Sequence, residues 1–242
     1  MKSALRPRRH TRPKPQRAAP FACHLVIMAR EPVAGRVKSR LAGEVGVTEA
    51  TRFYRACCRS VIARLAREPH WRTWLALSPA AACASRMFPR EIARRPQVRG
   101  DLAARMQAIM DWPVRGPIII IGTDIPAVRP SYLSAAFRAL GRHDAVFGPA
   151  EDGGYWLVGL RRRCRVPHAF EAVRWSSAHA LSDTLANLSG LAIARIATLS
   201  DVDRLQDLER VGSWSGRRIV PADIGCATDG PAANFEGIKA DK

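Results

Sequence analysis

Two stretches of this chain are apolar at consecutive positions rather than alternate ones: CHLVIMA, residues 23–29, and PIIIIG, residues 117–122. A strand with one wetted face alternates apolar and polar side chains, whereas a strand covered on both faces has no need to. Both runs therefore predict strands buried inside a layered fold. The segments around them repeat with a helical period instead. In residues 48–67, TEATRFYRACCRSVIARLAR, Phe53, Cys57, Val61 and Leu65 fall on one helix face, and Thr48 can cap its start. DLAARMQAIM (101–110), PSYLSAAFRALG (130–141), AHALSDTLANL (178–188) and DVDRLQDLERVG (201–212) are also predicted helices, the second opened by Pro130 and stopped by Gly141. TWLAL (73–77), DAVFGPA (144–150), YWLVGL (155–160) and LAIARIA (191–197) are predicted strands, and EDGG forms a tight turn between two of them. REPVAGRVKSRLA (30–42) is read as a loop. Strands that alternate with helices predict one α/β, Rossmann-like domain: a mostly parallel central sheet with helices on both faces.

With 242 residues, of which 47% are hydrophobic, the chain can build a substantial core. Three regions are expected: a basic arm over 1–20, a catalytic-type domain over 21–212, and an irregular tail over 213–242. The arm holds seven lysines and arginines and no acid within residues 1–19, has no apolar periodicity, and is expected to be disordered. The formal net charge of +18 suits an anionic substrate as well as it suits nucleic acid. No nucleic-acid-binding motif accompanies it, which argues against nucleic acid as the partner. No apolar run approaches the ~20 residues that span a bilayer. FACHLVIMA after Arg8 and Arg9 is short for an export signal and leads into a charged loop, so it is read as the first strand. The six cysteines form no CxxC pair and no regular spacing, so neither a zinc site nor a disulfide framework is indicated, and a reducing cytoplasm fits.

Parallel sheets bind ligands beyond the carboxyl ends of their strands. Asp124, in GTDIP, stands just past the end of the central apolar run. A hard divalent cation would use this carboxylate together with other oxygens, and a turn role is the competing reading. A cation needs partners. Asp152, in GPAEDGGYWL, and Asp203, in DVDRLQDL, are the two candidates; hairpin chemistry competes for the first and helix capping, shared with Asp201, for the second. Upstream, a Gly/Pro loop followed by Arg36, Lys38 and Arg40 is a candidate phosphate cradle, although it has neither GxxxxGK[ST] nor GxGxxG spacing. Lys38 is the only lysine between residues 15 and 238. Histidines 24, 70, 143, 168 and 179 show no metal spacing, and no GxSxG motif marks a covalent nucleophile.

Taken in order, PVAGRVKSRL, RGDLAARM, IIIIGTDIP, FGPAEDGGYWLVGL, RWSS and LSDVDRLQDL resemble the bacterial DUF2064 proteins, a branch of the GT-A nucleotide-diphospho-sugar transferases. The resemblance covers roughly residues 22–210. It departs from the family at Ser39, where Thr is usual, and at Ala103, where Gly is usual; neither change removes a charge. The resemblance implies a GT-A fold and a metal-dependent transferase that moves a sugar from a nucleotide sugar to a small-molecule acceptor. It implies that Asp124 and Asp203 bind Mg²⁺ or Mn²⁺, and that Arg36, Lys38 and Arg40 contact the phosphates. Asp101 and Arg105 would then contact the nucleotide. Gly153, Gly154 and Tyr155, with Trp175 and Ser176, would line the sugar or acceptor side. Asp124, Lys38 and Asp152 become the catalytic candidates. VKSRL also resembles the loop of phospholactate guanylyltransferases, so nucleotidyl transfer from an NTP, releasing pyrophosphate, is the alternative expectation.

Overall fold

The two apolar runs lie side by side. β1 (His24–Arg30) and β4 (Ile118–Ile121) pair in parallel at the centre of a seven-stranded sheet, with Val26 opposite Ile120. Their neighbours are β2 (Arg72–Ser78), β3 (Ala93–Pro96), β5 (Ala145–Pro149), β6 (Tyr155–Leu160) and β7 (Ile193–Arg195), in the order β3-β2-β1-β4-β6-β5-β7. The computed structural model describes residues 22–162 and 166–210. The expected basic arm and C-terminal tail fall outside these residues.

Burial on both faces explains why neither central run alternates. Leu25, Ile27, Ile119 and Ile121 join a core with α2 (Val47–Leu65) and α4 (Pro130–Ala139). Val26, Ile118 and Ile120 point the other way, into a second core with α3 (Leu102–Met110) and residues near α5 (Ala180–Ala186). Side chains of a strand alternate between faces, so four isoleucines in a row give two to each core. The expected mostly parallel sheet is present. The exception is β6, which runs antiparallel to both β4 and β5. The few residues between β5 and β6 can close a hairpin but cannot make the crossover that a parallel pair requires.

Three elements differ from expectation. α1 (Ser39–Val45) begins within the segment read as a loop. It has seven residues and one fully buried side chain, Leu41, too little for a periodic signal. β3 was not expected at all, because its sequence is Ala-Arg-Arg-Pro. Here the arginines take the part that apolar residues usually play. Arg94 Nη1 donates to the carbonyls of Cys83 at 2.9 Å and Ser85 at 3.1 Å. The Arg95 guanidinium stacks over Trp74 and Trp112, 5.0 and 4.7 Å from their centroids. The last helix, α6 (Leu205–Arg210), starts four residues later than expected, which leaves residues 201–203 outside regular secondary structure. Among the described residues no helix is long and apolar enough to cross a membrane.

Candidate functional site

β4 ends at Ile121 and carries the chain straight to Gly122, Thr123 and Asp124. This turn is tied down from behind. Buried Thr123 donates through Oγ1 to the Tyr54 hydroxyl at 3.2 Å, and that hydroxyl accepts from Arg30 N at 3.0 Å and donates to Arg30 O at 3.2 Å. One tyrosine of α2 thus locks together the carboxyl ends of β1 and β4. A side chain at Gly122 would crowd the site, since an added Cβ would stand 2.8 Å from Asp124 Oδ1. The carboxylate of Asp124 faces outward to the rim, where its Oδ2 accepts from Lys38 Nζ at 2.9 Å.

The second acid arrives from far along the chain. Val202 N donates to Asp124 O at 3.1 Å, and the Val202 side chain is fully buried. Anchoring Val202 carries its neighbours Asp201 and Asp203 to the rim beside Asp124. An oxygen from each of Asp124, Asp201 and Asp203 lies within 4.8 Å of the others. Asp203 is not a helix cap. The N–H groups of Asp203 and Arg204 donate to Asp207 Oδ2 at 3.0 and 2.9 Å, and Leu205 N donates to Glu44 Oε2 at 2.7 Å. The Asp203 carboxylate is left for cations: Oδ1 accepts from Lys38 Nζ at 2.6 Å, and Oδ2 from Arg40 Nη1 at 3.3 Å.

Lys38 precedes α1 in a left-handed conformation, with φ 49°. Its side chain is 6% exposed. Burial alone would weaken its charge, but Asp124 and Asp203 outweigh burial and push its pKa well above the usual lysine value. Burial also works to raise the Asp203 carboxyl, and here Lys38 and Arg40 more than offset it, so its pKa falls. Among the described residues Asp201 makes no such pair. Burial first, then the charges of Asp124, Asp203 and Asp152 against the opposing pull of Lys38, raise its pKa to about 6.

In front of this cluster lies a cavity of about 540 Å³. Arg40, Asp124, Asp201 and Asp203 line its charged end, and Met28, Leu102, Met106, Ile120 and Val158 supply apolar wall. Of the residues expected on the acceptor side, Gly154, Tyr155, Trp175 and Ser176 line it, as does Asp152. Asp152 also accepts from Gly154 N at 2.9 Å, so it closes the hairpin turn and reaches the cavity at once. Gly153 shapes the wall without lining it. Its φ is +83°, and a Cβ there would sit 2.4 Å from Ala178 O, so only glycine lets the turn dock on the segment leading to α5. Arg174 holds the same segment to α5 through Asp183, with contacts of 2.9 and 2.8 Å.

Not every predicted residue comes to the cavity. Arg36 and Arg105 are not among its lining residues, and neither is Asp101, whose Oδ1 accepts from Ala104 N at 2.9 Å as the N-cap of α3. That helix contributes Leu102 and Met106 instead. Asp201 joins the cluster, although in sequence it stands out only as a competing cap. The signal was present: Asp-Val-Asp places two carboxylates on the side opposite a buried valine.

The three carboxylates fit a hard divalent ion. Their donors are all oxygen, they are close enough to share one cation, and they stand at the rim of a cavity.

The fold and site can be set beside known proteins. Residues 61–177 match the family described as "Uncharacterized protein conserved in bacteria (DUF2064)". None of the curated proteins matches the chain. A crystal structure from Desulfovibrio desulfuricans, described as a nucleotide-diphospho-sugar transferase, is 26% identical with a TM-score of 0.71, over 81% of this chain and 90% of that one. A nucleotidyl transferase from Methanothermobacter thermautotroptrophicus shares the fold at 13% identity and a TM-score of 0.57, over 78% of this chain and 95% of that one. The matched segment and the shared sheet agree with the six motifs: residues 61–177 are similar to the DUF2064 family, and the chain is built on the fold of the nucleotide-diphospho-sugar transferases.

Proposed function

We propose that the cavity binds a nucleotide sugar and transfers its sugar to a small acceptor, with Asp124, Asp201 and Asp203 holding a Mg²⁺ or Mn²⁺ ion. The observation that carries this reading is the convergence of three carboxylates and a buried lysine at one end of a cavity whose opposite character is apolar. A divalent ion held there would neutralise charge that develops on a departing diphosphate. The protein's own groups set up the rest. Arg40 is 58% exposed and lines the cavity, so it can add a hydrogen bond to phosphate without first being uncovered. The carboxylate of Asp152 lines the cavity with one oxygen held by the turn, which leaves the other for an acceptor hydroxyl in this reading. Tyr155 and Trp175, ring to ring at 6.3 Å, form an aromatic corner for a sugar or acceptor face.

Nucleotidyl transfer is the second reading, and the Arg40 side chain is what favours it, since a departing pyrophosphate needs a cation on the cavity wall. Arg36 and Arg105, which could add to it, do not line the cavity. That leaves the glycosyl reading ahead. Product analysis separates the two: incubation with Mn²⁺ and mixed sugar nucleotides and NTPs should release a nucleoside diphosphate and no pyrophosphate. Pyrophosphate release from an NTP would reverse the order. Release of neither product under any donor and acceptor combination would count against both.

A further inference from the structure

Lys38 raises a conflict that the reading above leaves open. The family resemblance assigns its ammonium group to phosphate, yet it stands between Asp124 and Asp203, the carboxylates proposed to hold the metal. The contacts are close, 2.9 and 2.6 Å, and the side chain is 6% exposed. The geometry points to an exchange: Lys38 is an internal cation that competes with the divalent ion for the same carboxylates, and it is released to phosphate when metal and nucleotide enter together. This inference rests on the triad being the metal site.

The argument is one of charge and room. Asp124, Asp201 and Asp203 bring three negative charges within 4.8 Å of one another. Lys38 cancels one, and Arg40, at 3.3 Å from Asp203 and largely exposed, screens part of another. A small divalent ion such as Mg²⁺ would sit about 2.0–2.1 Å from its oxygens. With Lys38 hydrogen-bonded to two of the three carboxylates, ion and ammonium would share ligands at a separation of a few ångströms and repel strongly in a partly buried site. Lysine is suited to leave, because its charge is a point at the end of a flexible stem. Nucleotide phosphate offers the departing ammonium a new anionic partner. Metal and nucleotide should consequently each strengthen the other's binding by the same factor, as linkage requires.

The test is binding of Mn²⁺ alone, with no nucleotide, followed by calorimetry and by the spin-resonance signal of free Mn²⁺. The proteins compared are wild type, Lys38→Met, Lys38→Arg and Asp203→Asn. Lys38→Met should bind Mn²⁺ at least tenfold more tightly than wild type, while Lys38→Arg, which keeps the charge, should stay near wild type. Thermal unfolding gives an independent readout: without metal Lys38→Met should melt below wild type, and Mn²⁺ should raise its midpoint by more than it raises that of wild type. Should Lys38→Met fail to fold, Lys38→Gln retains a hydrogen-bond donor and supports the same comparison. Equal or weaker Mn²⁺ binding by the neutral variant overturns the exchange. If Asp203→Asn still weakens binding in that case, the triad stands as the metal site and only the competition is lost. Failure of every variant to bind millimolar Mn²⁺ overturns the exchange and the metal reading together.

Discussion

Asp203 stands two residues ahead of α6, where an aspartate ordinarily caps the helix, yet Asp207 and Glu44 take the backbone donors there and Asp203 turns to Lys38 and Arg40. Its neighbour Asp201 has a different fate, being half-buried near like charges without a direct partner among the described residues. The sign of its effect on stability follows. Its folded pKa, about 6, lies above the usual carboxylate value, so the folded state holds the proton more tightly than the unfolded chain. The resulting stability is present below about pH 4 and is lost as pH rises through 6. Asp201→Asn should remove that loss. In metal-free buffer its melting temperature should gain on wild type as pH is raised from 4.5 to 8, and a constant difference across that range would show that Asp201 is not perturbed. Under the proposed function, Asp124 would hold the metal ion that meets the departing diphosphate. Asp124→Ala should lower the transferase rate by about 10²–10³-fold, roughly 3–4 kcal/mol, with little change in circular dichroism. Activity near wild type would remove Asp124 from the chemistry.

At the scale of elements, the site depends on how strand ends are held. Tyr54 joins α2 to the ends of β1 and β4 through one hydroxyl. Tyr54→Phe leaves Arg30 N and Thr123 Oγ1 short of a partner and should cost about 1–3 kcal/mol in denaturant unfolding. Activity should fall as well, because Thr123 is the residue next to Asp124. A purely structural tyrosine would show the stability loss alone. The central strand supplies a control far from the charge. Ile119 is fully buried in the core with α2 and α4, and Ile119→Ala should cost about 2–5 kcal/mol. Elements were unequally readable in the sequence. β1 and β4 announced themselves because burial on both faces demands an unbroken apolar run. β3 was hidden because its Arg94 and Arg95 are held by carbonyls and indole rings, contacts that no local pattern predicts. α1 was hidden because seven residues with one buried side chain carry no period.

For the whole molecule, a ligand that binds only the folded state raises stability with the logarithm of one plus the ratio of its free concentration to its dissociation constant. At one hundred times its dissociation constant, a nucleotide sugar should add about 2.7 kcal/mol, a rise of roughly 5–10 °C for a domain of this size. The exchange at Lys38 adds a condition: Mn²⁺ and nucleotide together should shift the midpoint by more than the sum of their separate shifts. Additive shifts would indicate independent sites. The layered sheet, its parallel character and the outward place of Asp124 were legible in residues 22–210, because each depends on patterns a few residues long. The same short patterns placed Asp152 and Tyr155 at a hairpin turn. What brings Lys38, Asp124 and Asp203 within hydrogen-bonding reach, with Asp201 beside them, is decided elsewhere. Lys38 and Asp203 are 165 positions apart, and their meeting depends on Val202 docking against the backbone of Asp124. Apolar periodicity reports which side chains must leave water. It does not report which charges will then be left facing one another, because that depends on how the packed strands and helices are registered in three dimensions.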